Sequence, residues 1–117
     1  MHTRIYTENG QSYTILIGQC AMDNWTMIDI SHPEDIWFHL GDGLASCHVI
    51  LCLHGMTGTP TRQLIKHCCV ICKAMTNKYK RYQKIPVIYT TVNNISRGEY
   101  PGEVIIRSNH SPKTIVI

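Results

Sequence analysis

The sequence predicts an α+β fold in which mostly antiparallel strands pack with one long basic amphipathic helix. Three observations support this prediction: an Asn-Gly dipeptide between two strand-like runs, two apolar runs with alternating side chains, and a helical apolar stripe in mid-chain. At 117 residues the chain has the length of one domain. We therefore expect residues 1–117 to form a single domain.

The first strands are predicted around Asn9-Gly10. Residues 3–7 and 13–17 are rich in β-branched and aromatic side chains. Asn-Gly is a favoured two-residue turn between antiparallel strands, so these runs are expected to form a hairpin. Residues 26–30 predict a third strand, which ends before Pro33.

Residues 35–40 and 47–53 predict a second hairpin. Side chains alternate across a strand, so a register with His39 opposite His48 sorts the two runs into distinct faces. One face is aliphatic and consists of Ile36, Phe38, Leu40, Val49, Leu51 and Leu53. The other consists of Asp35, Trp37, His39, His48, Ile50 and Cys52. This register is the one that segregates the aliphatic residues.

The middle of the chain predicts one long helix over residues 60–82. Thr59 suits the N-cap position and Pro60 the first helical position. The helical period gathers an apolar stripe of Leu64, Cys68, Ile71, Cys72, Met75, Tyr79 and Tyr82. It also gathers a second set within about 40° on the opposite side, namely Arg62, Lys66, Lys73, Lys80 and Lys84. A helix of this length would carry that positive charge along about 34 Å.

The rest of the chain predicts strands. Pro86 stops the helix, and residues 86–90 predict a strand. A loop follows and includes Pro101-Gly102. Residues 103–107 and 113–117 predict two final strands, joined by a turn over residues 108–112.

The distribution of charge indicates an anionic partner. Residues 1–42 contain one basic and six acidic residues, whereas residues 43–98 contain eight basic residues and no Asp or Glu. Such an asymmetry favours a basic surface that binds nucleic acid; the alternative is a solvated basic surface without a partner. We expect no membrane span, because the chain has no long apolar run. The polar N-terminus predicts a cytoplasmic protein with reduced cysteines.

Two other chemistries are possible from residue types. Cys69-x-x-Cys72, with neighbouring His67 and Cys68, resembles half of a zinc ligand set, but core packing on a helix explains the same spacing. We therefore expect no metal and no cofactor. An opposed pair of His39 and His48 could act as base and acid in phosphodiester cleavage. The same pair could instead hold the hairpin together or contact RNA.

These residues, taken together, resemble a known domain. The order Gly18, Asn24, Asp35-x-Trp37-x-His39 and Ser46-x-His48, then a basic helix, Val87-x-Tyr-Thr90 and Pro101-Gly102, is similar to the NFACT-R domain. This is the RNA-binding domain of a family of ribosome-associated quality-control factors, and a stand-alone form of it exists. The resemblance extends from about Tyr6 to Val116, and its signature residues here are Asp35, Trp37, His39, Ser46 and His48.

The resemblance implies a non-enzymatic module whose partners are tRNA or rRNA and the large ribosomal subunit. The residues expected to bind RNA phosphates are Arg62, Lys66, Lys73, Lys80, Lys84 and Arg97. Trp37, Tyr79 or Tyr82 could stack on bases where they are exposed. No small-molecule substrate is expected. The alternatives are a small His-dependent phosphodiesterase and a protein-interaction module on a ribosome-associated complex.

Overall fold

The computed structural model describes residues 1–107 and 111–117, which form a six-stranded sheet with a helix on each face and a two-stranded sheet beside it. The strands are β1 (His2–Glu8), β2 (Gln11–Ile17), β3 (Ile36–Leu40), β4 (Val49–Cys52), β5 (Pro86–Thr91), β6 (Ile95–Arg97), β7 (Val104–Ile106) and β8 (Lys113–Val116). The helices are α1 (Ala21–Ile30) and α2 (Arg62–Ala74), with a 3-10 turn at Val92–Asn94. The α+β class and the antiparallel strands are therefore confirmed.

The main sheet has the order β1-β2-β4-β3-β5-β8, and every neighbouring pair is antiparallel. The predicted N-terminal hairpin is confirmed, because Glu8 pairs with Gln11 across the Asn9-Gly10 turn. Both turn residues have positive φ, 51° and 78°, the backbone geometry that makes Asn-Gly favourable in a two-residue hairpin. Strands β1 and β8 are the two edges of this sheet.

The central hairpin of β3 and β4 has the predicted register. Phe38 pairs with Val49 and Trp37 with Ile50. The side chains therefore separate as expected, and each face of the sheet supports its own hydrophobic core. The first core joins the aliphatic face to α2, and it includes Ile36, Phe38, Leu40, Val49, Leu51, Leu64, Cys68 and Cys72. The second core lies on the other face, where Trp37 and Ile50 pack with Met27 of α1.

The prediction of a third strand at residues 26–30 is wrong, because these residues end α1. The first turn of α1 is stabilised by Asp23, whose carboxylate accepts a hydrogen bond from the backbone N–H of Gln19 at 3.0 Å. An acidic residue at this end of a helix also interacts favourably with the helix dipole. Packing of Met27 into the second core thus outweighs the strand propensity of the local sequence.

The prediction of one long basic helix over residues 60–82 is also wrong. Helix α2 begins later, because Thr61 rather than Thr59 is the N-cap and its hydroxyl accepts a hydrogen bond from the N–H of Leu64. It ends at Ala74. The buried Thr76 donates its hydroxyl to the carbonyl of Cys72 and accepts a hydrogen bond from the N–H of Cys47. These bonds tie the end of α2 to the loop before β4.

The C-terminal third matches the predicted strands with one exception. Strands β5, β7 and β8 lie where residues 86–90, 103–107 and 113–117 predicted them, but the predicted loop after β5 contains a 3-10 turn and strand β6. Residues 108–110 of the predicted turn lie outside the described residues. Among those described, neither helix is long and apolar enough to cross a membrane.

Gly18 is required by a close approach of α1 to the end of β2. A Cβ built at Gly18 would lie 2.3 Å from Oδ1 of Asn24 and 3.0 Å from Sδ of Met27. We expect Gly18→Ala to reduce the free energy of unfolding by about 1–3 kcal/mol, because the added methyl group must displace the side chains of Asn24 and Met27. Urea denaturation followed by circular dichroism measures this change. A reduction below about 0.5 kcal/mol would show that these two side chains move aside freely.

Candidate nucleic-acid interface

Asp35 lies at the start of the central hairpin and is almost completely buried, with 1% of its surface exposed. Its carboxylate accepts three backbone hydrogen bonds, from His32 at 2.8 Å, Leu53 at 2.7 Å and His54 at 3.1 Å. Its own carbonyl accepts a bond from the N–H of Val92 at 2.7 Å. A buried carboxylate with this set of partners holds the backbone together and is not accessible to a ligand.

Trp37, His39 and His48 form a single network on the second face of the sheet. The indole N–H of Trp37 donates to Nδ1 of His48 at 3.1 Å, so His48 carries its proton on Nε2. Nδ1 of His39 lies 2.6 Å from the carbonyl of Leu40, so it is the donor in that bond. The two imidazole rings meet edge to face, with centroids 4.8 Å apart. The predicted opposition of the two histidines is therefore confirmed.

This environment favours neutral histidines. Burial, together with the neighbouring His39, lowers the pKa of His48 to about 3. Burial also lowers the pKa of His39, although its hydrogen bond to the Leu40 carbonyl partly opposes the shift. Phosphodiester cleavage by a histidine pair needs one imidazolium as general acid near neutral pH. Burial disfavours the charged form of both histidines, so this environment favours the structural alternative.

Ser46 also has a structural position. Its hydroxyl accepts a hydrogen bond from the N–H of Leu40 at 3.0 Å and donates to the carbonyl of Cys47 at 2.6 Å. These bonds close the connection between β3 and β4. The signature residues are thus brought together by the hairpin, and the hydrogen bonds that they form lie within it and at its ends.

The cysteines of the proposed zinc half-site lie in the first core. Cys68, Cys69 and Cys72 are buried, and burial raises the pKa of Cys69 to about 12. All six cysteines are free thiols. Within residues 1–107 and 111–117, no group of three or more His, Cys, Asp or Glu side chains is placed to hold a metal ion.

The cations predicted to bind RNA lie in three parts of the structure: on α2, in the segment after α2, and in β6. Arg62, Lys66 and Lys73 share one side of α2, within about 40° of one another. Lys80 and Lys84 follow α2 in a non-helical segment, so the predicted line of charge along one helix does not exist. Lys84 has a φ of 57° and precedes Ile85, which pairs with Ile117. Lys73 reaches the carbonyl of Ile117 at 3.2 Å, and Ile117 is the backbone partner of Ile85, the residue after Lys84.

We call the basic residues of α2 and of the segment after it the basic face. Its members are Arg62, Lys66, Lys73, Lys78, Lys80, Arg81 and Lys84. In the part of the chain that the structure describes, none of them forms an ion pair with a carboxylate. All are exposed except Lys73, which is half-buried. Unpaired and solvated cations on one surface produce a positive potential that attracts a polyanion.

Arg97 is not part of the basic face. It lies in β6, in the layer on the other side of the main sheet, where its guanidinium pairs with the carboxylate of Asp29. The same guanidinium lies over the ring of Trp25, 4.9 Å from its centroid. These contacts give Arg97 a role in joining α1 to the two-stranded sheet.

The three candidate stacking residues differ in exposure. Trp37 is only 2% exposed and cannot stack on a base, because its side chain is packed in the second core. Tyr79 is half-buried against the first core. Tyr82, expected on the apolar stripe, is 56% exposed because α2 ends before it. Tyr82 is therefore the aromatic side chain available beside the basic face.

Two basic residues near α2 were not predicted. Nη2 of Arg4 lies 3.7 Å from Sδ of Met75, just beyond the end of the helix. Lys113 pairs with Tyr89 in the sheet and therefore points toward the layer of α2. The register of the final strand pair could have revealed Lys113. The placement of Arg4 depends on the packing of α2 across the sheet, which the sequence does not specify.

Residues 2–108 match the family described as the NFACT protein RNA binding domain. The chain belongs to this family. The chain is similar to coiled-coil domain-containing protein 25 from Bos taurus, with 33% identity over 92 residues. That match covers 76% of this chain and 43% of the relative.

A second relative is the coiled-coil domain-containing protein 25 homolog from Dictyostelium discoideum, with 27% identity over 88% of this chain and 52% of the relative. The chain thus spans about half the length of these relatives. Among solved structures, the C-terminal part of the fibronectin/fibrinogen-binding protein from Streptococcus suis superposes with a TM-score of 0.80. The superposition includes 98% of this chain and 44% of the Streptococcus suis chain, and the two are 19% identical in sequence. This likeness shows that they share a fold.

Asp35→Asn provides a test of the backbone clamp. The variant places an amide N–H₂ opposite at least one of the three backbone donors, so one buried N–H loses its acceptor. We expect the free energy of unfolding to fall by about 1–3 kcal/mol. The exposed Asp42→Asn is the matched control and should change stability by less than about 0.5 kcal/mol. Equal effects of the two substitutions in chemical denaturation would contradict the clamp.

His48 predicts a specific loss of stability in acid. Its pKa is about 3 in the folded protein and 6.5 in the unfolded chain, so the unfolded state binds more protons as the pH falls below 6.5. This linkage removes about 2 kcal/mol of stability between about pH 7 and pH 5. His48→Gln, which keeps an acceptor for Trp37, should lack that part of the pH dependence. The exposed His2→Gln should retain it; a wild-type slope in His48→Gln would refute the assignment.

Proposed function

We propose that this domain is a non-enzymatic RNA-binding module that contacts phosphates through the basic face. The observation that carries this proposal is the set of seven cations in residues 62–84 that, within the described chain, have no carboxylate partner. Contacts of this type are independent of sequence and weaken as salt displaces the protein from the phosphates. The family's description as an RNA-binding domain supports the same function.

We further propose that the RNA is tRNA or rRNA of the large ribosomal subunit, and that the protein acts in cytoplasmic translation quality control. The resemblance of the signature residues to the NFACT-R domain of ribosome-associated factors supports this proposal. Binding to ribosome-rich fractions, with release by high salt, would be the expected behaviour.

A double substitution on the basic face tests RNA binding. We expect Lys66→Ala with Lys80→Ala to weaken binding to a folded tRNA and to reduce the slope of log K against log[salt] by about 1.5 to 2, because two phosphate contacts are lost. Both side chains are exposed, and the hydrogen bond that Lys80 forms among the described residues is a long one, to Oδ1 of Asn77 at 3.5 Å. Fluorescence anisotropy at several salt concentrations measures both quantities.

The control is Arg107→Ala, which removes one exposed positive charge from the opposite layer of the sheet and leaves the Arg97–Asp29 pair intact; it is compared with Lys66→Ala alone, so that each variant loses one charge. We expect this control to leave the salt slope within experimental error of the wild type. If the variants of the basic face and the control all bind tRNA with the wild-type slope, the basic face is not the phosphate-binding surface. If the control alone lowers the slope, the interface lies on the layer of Arg97.

One feature favours protein docking as a second candidate function. Four large apolar side chains are exposed on α1 and on the two-stranded sheet with its connecting loop: Met22, Ile30, Tyr100 and Ile105. This layer lies across the sheet from the basic face, so a protein could bind there without competing with RNA. A complex recovered from cell extract that survives nuclease treatment and is lost in Ile30→Glu would support it.

A further inference from the structure

A cleft of about 470 Å³ lies between the beginning of α2 and the edge strand β8. Arg62 from the first turn of α2 and Lys113 from β8 line its two sides, and Tyr89 and Thr91 of β5 lie between them. We call this space the edge cleft. Its volume falls in the range of about 300–1,000 Å³ that small-molecule sites occupy.

The register of β5 and β8 places the two cations on the same side of the sheet. Lys113 is the partner of Tyr89, and cross-strand partners point to the same face. Tyr89 packs toward the first core, its ring stacked on Phe38 with centroids 5.6 Å apart. Arg62 is close enough to Tyr89 to lower the pKa of its phenol, although burial outweighs this effect and leaves the pKa raised. Both cations therefore face the same half-buried tyrosine.

The cleft is positively charged. Among the described residues, neither Arg62 nor Lys113 forms an ion pair with a carboxylate. One carboxylate, that of Glu34, does line the cleft, but its Oε1 lies 2.5 Å from Nδ1 of His54 and is engaged there. An anionic group held between Arg62 and Lys113 would supply the charge that both side chains lack.

The cleft also has an apolar part. Ile36, Leu53 and Ile65 line it together with the cations, and Ile36 and Ile65 are more than nine-tenths buried. A second cavity of about 320 Å³ adjoins it and shares Ile36, Tyr89, Thr91 and Lys113. A ligand that fits this lining has an anionic group attached to a part that can rest on apolar side chains. Nucleotides have this combination, because a base presents the faces of its ring to such side chains while its polar edge points away.

We propose that the edge cleft holds one unstacked nucleotide of single-stranded RNA, with its phosphate between Arg62 and Lys113 and its base toward the apolar lining. This inference rests on the proposed function, since Arg62 is the first residue of the basic face. It adds a preference that phosphate contacts alone do not give. A base within a duplex is stacked and paired, so it can enter the cleft only after it is unstacked.

The experiment compares a short oligouridylate with an RNA duplex of the same length for the wild type, Lys113→Glu and Arg107→Glu. Lys113 and Arg107 are both exposed, and the two substitutions change the net charge equally. We expect Lys113→Glu to weaken oligouridylate binding about tenfold, because a carboxylate that repels the phosphate replaces the cation that binds it. Its effect on the duplex should match that of Arg107→Glu, at about twofold. Lys113→Gln, which keeps a polar side chain on the edge strand, should reproduce the selective loss in a milder form.

The outcomes separate this inference from the proposed function. If the wild type binds RNA, but Lys113→Glu weakens oligouridylate no more than Arg107→Glu or weakens both RNAs equally, the edge cleft is not a nucleotide site and the basic face stands. If the wild type binds neither RNA, the proposed function fails and the inference fails with it. Uridine monophosphate gives an independent readout, since it should shift the amide NMR signals of Tyr89, Thr91 and Lys113 in the wild type. The absence of such shifts in a protein that binds oligouridylate would overturn the inference.

Discussion

The buried carboxylate of Asp35 is the interaction on which the rest of this fold depends. It accepts hydrogen bonds from the chain before β3 and from the chain after β4, while its backbone carbonyl receives the chain after β5. Three segments distant in sequence therefore meet at one residue. Because a strand that slips by one residue turns every side chain to the opposite face, fixing the ends of β3 and β4 fixes what each face contains. The two cores, and so the two layers, follow from this register.

The two layers differ in chemistry because the central hairpin directs aliphatic side chains to one face of the sheet and Trp37 with the histidines to the other. The aliphatic face receives α2, whose buried side is apolar and whose outer side carries Arg62, Lys66 and Lys73. The opposite face receives Trp37 and the histidines, where the indole N–H of Trp37 donates to Nδ1 of His48 and Nδ1–H of His39 donates to the carbonyl of Leu40. The residues that most resemble a catalytic pair therefore bond within the hairpin, whereas the proposed contacts with RNA come from solvated side chains on the far side of the sheet.

Much of this arrangement is readable from the sequence where local rules agree with packing. The Asn9-Gly10 hairpin and the register of His39 against His48 follow from turn chemistry and alternation, and both are present. The errors occur where tertiary contacts decide. Met27 draws residues 21–30 into a helix despite their strand propensity, and Thr76 ends α2 by bonding to Cys47, which is 29 residues away in sequence. Neither contact can be predicted from the spacing of apolar and polar residues along the chain. The edge cleft could not be predicted from the sequence for the same reason. Arg62 and Lys113 line one cleft because β8 pairs with β5, which is a tertiary contact.

The placement of one helix on each face of the sheet has an electrical consequence. Helix α1 contains Asp23 and Asp29 and no basic residue, whereas α2 contains three basic residues and no acidic one. Both carboxylates of α1 are paired with a cation, Asp23 with the N-terminal ammonium group and Asp29 with Arg97, whereas the cations of α2 have no carboxylate partner among the described residues. The uncompensated charge of the two helices therefore lies on the α2 side, and in the field of a polyanion this asymmetry turns that side toward the negative charge before contact. The orienting effect acts within roughly a Debye length, about 8 Å at physiological ionic strength. The asymmetry thus selects the orientation of encounter as well as its rate.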